Sequence, residues 1–86
     1  MLNFISKLLG KNEEDEQKAR EDKQIIEDIT YVCSRLRSIR ASYDMVCEDE
    51  LVEAMIYEEK ALLSKYSYLL RVAKERSLTN IPAISQ

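Results

Sequence analysis

Glu59 is the residue whose surroundings could give it unusual chemistry, because apolar residues flank it at helical spacings on both sides. A carboxyl group held among apolar side chains has a raised pKa and can act as a general acid. Such catalysis needs a base or nucleophile nearby, and the sequence contains no histidine, the commonest general base. We therefore expect Glu59 to pair with Arg37 or Arg40 across two packed helices, or to lie at the rim of the apolar face. We predict no catalytic residue.

The two cysteines are the other side chains with reactive groups. On one helix Cys33 and Cys47 would be about 21 Å apart, whereas a disulfide joins Cα atoms within about 7 Å of each other. Two thiolates with no histidine and no Cys-x-x-Cys spacing cannot complete a tetrahedral metal site. We predict two buried free thiols in a reducing compartment, no metal site and no cofactor.

The elements that must position these residues are helical. The chain has one glycine and one proline in 86 residues, whereas an all-β fold needs a turn roughly every 8–12 residues. The same scarcity excludes a glycine-rich phosphate loop. A chain of this length forms one small domain whose core is marginal unless something else covers apolar area.

The first predicted helix covers about residues 13–47. Apolar residues alternate there at spacings of four and three, which is the pattern of a helix with one apolar face. This stripe consists of Ile25, Ile29, Val32, Leu36, Ile39, Tyr43 and Val46, and Ile26, Cys33 and Cys47 widen it on one side.

The second predicted helix covers about residues 50–77, with Asp49 as its N-cap. Its apolar face has a middle row of Val52, Glu59, Tyr66 and Ala73, flanked by Met55, Leu62 and Leu69 on one side and by Ile56, Leu63 and Leu70 on the other. This face is wider than one partner helix would cover. Pro82 disfavours helix at Ile81, so residues 79–86 are predicted to form a flexible tail.

Charged residues alternate in blocks along the chain. Acidic residues dominate 13–28 and 48–60, whereas basic residues outnumber acidic ones in 29–47 and 61–86. If the chain reverses near residue 48, each acidic block lies opposite a basic one, which predicts an antiparallel two-helix hairpin. The formal net charge is −3, and acids oppose both basic clusters, so we do not expect nucleic-acid binding.

Two rows of residues lie off the main stripes and are candidate contact surfaces. The row on the second helix consists of Tyr57, Ala61, Ser64, Tyr68 and Val72, and that on the first of Thr30, Ser34, Ser38, Ala41 and Ser42. Small residues let another helix approach, and tyrosines give rigid contact area. These rows are ordinary solvated surface, a homo-oligomer interface that closes two hairpins into a four-helix bundle, or the site of a different protein partner.

Residues 1–10 form a candidate amphipathic helix. Its apolar side includes Leu2, Phe4, Ile5, Leu8 and Leu9. Such a segment packs on the hairpin, is disordered alone, or docks on a membrane or a partner. No apolar run approaches the roughly 18 residues that span a bilayer, and the N-terminus does not read as a signal peptide. We therefore expect a cytoplasmic protein.

The stretch from Ala41 to Leu78 resembles the YaaL-like family of small uncharacterised proteins of Gram-positive bacteria. The resemblance rests on the runs Glu50–Tyr57, Lys65–Leu70 and Ala73–Arg76, together with Ala61. It implies an all-helical fold and a Gram-positive host. Because that family has no established activity, the resemblance implies no catalytic residues.

The sequence therefore predicts an all-α protein with three parts: an amphipathic segment at 1–10, a helical hairpin domain at 11–78 and a flexible tail at 79–86. We expect a non-enzymatic interaction or adaptor protein that self-associates or binds another protein. The alternative is a peripheral membrane protein that uses its N-terminal segment.

Overall fold

Two helices form an antiparallel hairpin in the computed structural model of the chain. Helix α1 spans Leu2–Ser42 and helix α2 spans Asp49–Glu75. The structure describes the backbone of residues 2–84 and the side chains of residues 13–84. Residues 2–84 contain no strand, so the predicted all-helical hairpin is confirmed.

Helix α1 is longer than its partner. It runs without a break through Gly10, so the predicted short N-terminal helix is continuous with the first arm of the hairpin. Its 41 residues extend about 60 Å, whereas the 27 residues of α2 extend about 40 Å. The N-terminal part of α1 therefore projects past the end of α2, and every side chain from Glu13 to Arg20 is exposed.

The connection between the helices is longer than the sequence predicted. Helix α1 ends at Ser42 and not near residue 47. The Ser42 hydroxyl donates a hydrogen bond to the Ser38 carbonyl at 2.9 Å, and the Ser42 carbonyl accepts from the Met45 amide at 3.0 Å. Helix α1 ends at this turn, so Cys47 lies in the connection between the helices and is exposed. The prediction that both thiols are buried is wrong for Cys47.

Helix α2 begins one residue earlier than predicted. Its N-cap is Glu48 and not Asp49, because Glu48 has an extended backbone (φ −71°, ψ 126°). The Glu48 carbonyl accepts from the amides of Leu51 and Val52 at 3.1 and 3.0 Å. Asp49 is instead the first helical residue, where its negative charge interacts favourably with the positive end of the helix dipole.

The core lies along the line where the two helices meet. Its fully or nearly fully buried hydrophobic residues are Ile29, Val32, Cys33, Leu36 and Ile39 from α1, and Leu62 and Ala73 from α2. The predicted stripe on α1 is therefore confirmed at its centre. Its outer members, Ile25, Tyr43 and Val46, are half-buried.

Ion pairs across the hairpin confirm the predicted register of the charge blocks. Arg76 contacts Asp22 at 2.6 Å and Glu21 at 3.1 Å. Nearer the turn, Arg35 contacts Glu58 at 2.6 Å. Solvent-exposed pairs contribute little free energy each, so they fix the alignment of the helices more than the stability of the fold.

The end of α2 turns the chain back onto the hairpin. The Leu78 amide donates to the Ala73 carbonyl at 2.9 Å and the Ser77 amide to the Lys74 carbonyl at 3.0 Å, with Ser77 at φ 58°. These are the two hydrogen bonds and the left-handed residue of a Schellman motif. Leu78, Ile81 and Ile84 then pack against the core. The predicted flexible tail thus lies against the hairpin over its described residues.

Candidate interaction surface

One side of the hairpin carries an apolar groove between α1 and α2. Its first section has a volume of about 340 Å³, with Val32, Leu62 and Leu69 at its floor and Asp28 and Lys65 also lining it. Tyr31 and Tyr68 line it too and remain 63% and 56% exposed. No apolar side chain of the described residues fills the space between these two rings.

A second section continues along the same side toward the turn. It has a volume of about 330 Å³ and an apolar lining that includes Ile39, Leu51 and Met55. Ser38, Ser42 and Ala54 also line this section, and their small side chains leave space. Arg35 and Glu58 line it as well, and by helical spacing they lie between the two sections. We call the two sections together the open groove.

Two polar contacts hold side chains at the open groove. The hydrogen bond from Arg35 Nη2 to Glu58 Oε1 measures 2.6 Å, and this bond and the charge of Glu58 raise the pKa of the Arg35 guanidinium. The guanidinium carbon of Arg71 lies 5.4 Å from the centre of the Tyr68 ring, a cation–π contact. These contacts orient the groove rim but bring together no acid, base and nucleophile.

The predicted contact row on α2 only partly coincides with the open groove. Of its members, Tyr68 lines the groove, whereas Tyr57, Ala61 and Ser64 are exposed and do not line it, and Val72 is half-buried. The Tyr57 hydroxyl donates to the Glu53 carboxylate at 3.4 Å. Spacing on one helix could not identify Tyr31 or Leu51, since a groove between helices depends on the register of both. Their aromatic and apolar types were the available signal.

Glu59 lies beside one of its two predicted partners. Its Oε2 is 3.8 Å from Arg40 Nε, and this buried oxygen accepts no hydrogen bond from a described residue. Arg37 is exposed and forms no ion pair within the described part of the chain. Burial, followed by the neighbouring Glu59 carboxylate, raises the pKa of Tyr43. The structure therefore places Glu59 between Arg40 and Tyr43, an arrangement suited to an ion pair between Glu59 and Arg40.

The remaining candidate groups are separated from one another. Cys33 is buried, and this burial raises the pKa of its thiol while the charge of Arg37 lowers it in part. In the part of the chain that the structure describes, no cluster of three or more Cys, Asp or Glu residues could bind a metal ion. The side chains of Leu2, Phe4, Ile5, Leu8 and Leu9 lie outside the described residues. Neither helix has, over its described length, an apolar stretch that could cross a membrane.

Fold and surface together define a small helical hairpin with an unfilled apolar groove between its two helices. Residues 8–80 match the family described as "Protein of unknown function (DUF2508)", and the chain belongs to this family. The match includes most of α1, all of α2 and the start of the tail. No curated protein and no solved structure matches the chain.

Proposed function

We propose that this protein is a non-enzymatic interaction module that self-associates through the open groove. The observation that carries this proposal is the exposure of Tyr31 and Tyr68 on either side of an apolar floor. Exposed aromatic residues around an apolar depression are typical of protein contact sites. A second copy covers the groove and adds the buried area that a chain of this size lacks.

The charges around the open groove support a second copy as its occupant. Consider two hairpins stacked groove to groove about a two-fold axis parallel to the helices. Helix α1 of one copy then lies over α2 of the other at the same height, as an isologous interface requires. Asp28 faces Lys65 of the second copy, and Arg35 faces its Glu58. The pairs that join the helices within one hairpin also fit between two hairpins, which gives a four-helix bundle.

Light scattering across a concentration series tests this proposal. The wild-type chain should have the mass of two chains, and Tyr68→Ser should shift the mass toward one chain at the same concentration. Tyr57→Ser is the matched control, because Tyr57 is 62% exposed on the same helix but does not line the groove. A wild-type mass of one chain at every concentration would contradict self-association.

A second candidate function is attachment to a membrane surface through residues 1–10. It is supported by the length of α1, which carries this segment past the end of α2. Apolar residues at helical spacings fit the interface between lipid headgroups and acyl chains. Vesicles of phosphatidylglycerol and phosphatidylethanolamine should then float the wild-type chain but not Phe4→Ser/Leu8→Ser. Failure of both to float would remove this candidate.

We further propose a cytoplasmic location and membership of the YaaL-like group of Gram-positive bacteria. The runs Glu50–Tyr57 and Lys65–Leu70, which carry the resemblance, both lie on α2 and supply residues of the open groove. Two free cysteines, one of them exposed, suit a reducing compartment. The adaptor role follows if the groove also accepts another protein in place of a second copy.

A further inference from the structure

The other side of the hairpin has a groove that the chain itself fills. Cys33 and Ala73 face this side, and their small side chains leave space between the helices. Leu78, Ile81 and Ile84 pack against the buried cluster that Cys33 and Ala73 form with Ile29. Within this cluster Cys33 is 4% exposed and Ala73 is fully buried. We call this site the tail groove.

The tail is held in the way that a bound peptide is held. The last backbone hydrogen bond that ties it to α2 is the one from the Leu78 amide to Ala73, and none joins residues 79–84 to the rest of the described backbone. The Tyr66 hydroxyl donates to the Pro82 carbonyl at 3.3 Å. The other attachment is the packing of apolar side chains, the combination by which extended segments are recognised in grooves.

The backbone leading into the tail groove is under strain. Ser77 and Asn80 have φ values of 58° and 59°, in the left-handed region that costs free energy for residues with a Cβ atom. Closing the tail over the groove therefore opposes local conformational preference at Ser77, whereas asparagine tolerates this region at Asn80. This lowers the net stability of the closed state relative to what the packing alone would give.

We propose that the tail groove is a binding site for an extended apolar segment of a partner protein, and that the chain's own tail occupies it when the partner is absent. The chemistry that fits is that of Ile81-Pro82-Ala83-Ile84: a branched apolar residue, a proline whose carbonyl accepts from Tyr66, and a second branched apolar residue. A partner segment of this type displaces the tail. This site opens on the other side of the seam from the open groove, and Ile84 also packs against the buried cluster that contains Val32 and Leu62. Its occupation by a partner segment does not depend on self-association.

Reactivity of the Cys33 thiol reports whether the tail groove is covered. The full chain carries Cys47→Ser, which removes the exposed thiol, and labelling by Ellman's reagent is followed at pH 8. Adding Ile81→Ser/Ile84→Ser should speed labelling of Cys33 at least about tenfold, because the covering side chains no longer pack. A synthetic peptide with the sequence of residues 78–86 should then slow it again with increasing concentration.

The matched control is the same peptide with serine in place of both isoleucines, which should give no protection. Far-UV circular dichroism establishes that the hairpin remains helical in the double variant. If it does not, Tyr66→Phe takes its place, since loss of one hydrogen bond should speed labelling by about threefold with packing retained. Equal labelling rates in all variants would contradict the claim that the tail covers Cys33. Failure of the native peptide to protect Cys33 would contradict the claim that the tail groove is a binding site.

The mass of the protein separates this inference from the proposed self-association. The Ile81→Ser/Ile84→Ser variant should have the same mass as the wild-type chain, because the tail lies on the side away from the open groove. If adding the native peptide instead lowers the mass from two chains to one, the tail groove binds the tail of a second copy. That result would contradict the proposal that it binds a segment of a different protein.

Discussion

The two sides of the hairpin differ in what lies over the seam between the helices. On the tail side, the small residues Cys33 and Ala73 leave a groove that the chain's own isoleucines fill. On the other side, Tyr31 and Tyr68 remain exposed beside an apolar groove that no described residue fills. Over the described residues, one side of the seam is therefore covered by the chain itself. We propose that a second copy of the chain covers the other side.

The largest effect is expected at the floor that the two sides share. Leu36 is fully buried between the helices, so Leu36→Ala removes side-chain packing and leaves a cavity. We expect the free energy of unfolding to fall by about 2–5 kcal/mol, measured by urea denaturation and circular dichroism. Tyr31→Ala on the open side should cost less than about 1 kcal/mol at concentrations too low for association. Equal losses would break the distinction between core and surface.

The second largest effect is expected from a larger side chain at a position that the tail covers. Ala73 is fully buried beneath the tail, so Ala73→Leu should displace Leu78 and Ile81 and lower the free energy of unfolding by about 1–3 kcal/mol. Ala61 is exposed on the same helix, and Ala61→Leu should change stability by less than about 0.5 kcal/mol. Thermal unfolding of the two variants gives the comparison. A neutral Ala73→Leu would show that the tail does not pack there.

A glycine should strengthen the turn that starts the tail. Ser77 has φ 58°, which glycine adopts without the steric cost of a Cβ atom. We therefore expect Ser77→Gly to raise the free energy of unfolding by about 0.5–1 kcal/mol. Ser64 lies within α2, where glycine weakens a helix, so Ser64→Gly should lower it by about the same amount. Changes of the same sign in both variants would contradict the Schellman motif.

The smallest expected effect is a pH dependence of the free energy of unfolding that comes from Cys33 on the tail side. Burial raises the pKa of the Cys33 thiol, so the folded chain keeps its proton at a pH where the unfolded thiol ionises. The resulting stability is fully present below the unfolded pKa, about 8.5, and is lost as pH rises through the folded pKa. Urea denaturation at pH 7.5 and pH 10 should show a smaller fall for Cys33→Ala than for the wild-type chain. Identical falls would mean that the thiol is not desolvated.

The sequence predicts those parts of the fold that follow from a repeated pattern of apolar or charged residues. The stripe from Ile29 to Ile39 is buried as its spacing indicates, and the opposed charge blocks predict the pairing of Arg76 with Asp22. Single events along the chain are harder to predict. Helix α1 ends at Ser42 with no glycine or proline to mark it, which exposes Cys47. The tail has too few residues for a periodic pattern, so its packing on the hairpin has no local signal.

The candidate surface was predictable only in part for a related reason. Tyr68 belongs to a row that spacing on α2 identifies, but its neighbours across the groove depend on how α1 is aligned. That alignment is fixed by long-range contacts such as Arg35 with Glu58. The same dependence applies to Glu59, for which the sequence offered two arginines and the structure places Arg40 nearer.

The most direct test of the account exchanges charges across the proposed two-fold interface. Asp28→Lys and Lys65→Glu each place like charges opposite one another in a dimer of identical chains, so each variant alone should have the mass of one chain. In an equimolar mixture, position 28 of the first variant and position 65 of the second carry opposite charges, and the native pair remains at the other contact. Light scattering should then give the mass of two chains. A mixture that stays at the mass of one chain, or variants that still dimerise alone, would contradict self-association through the open groove.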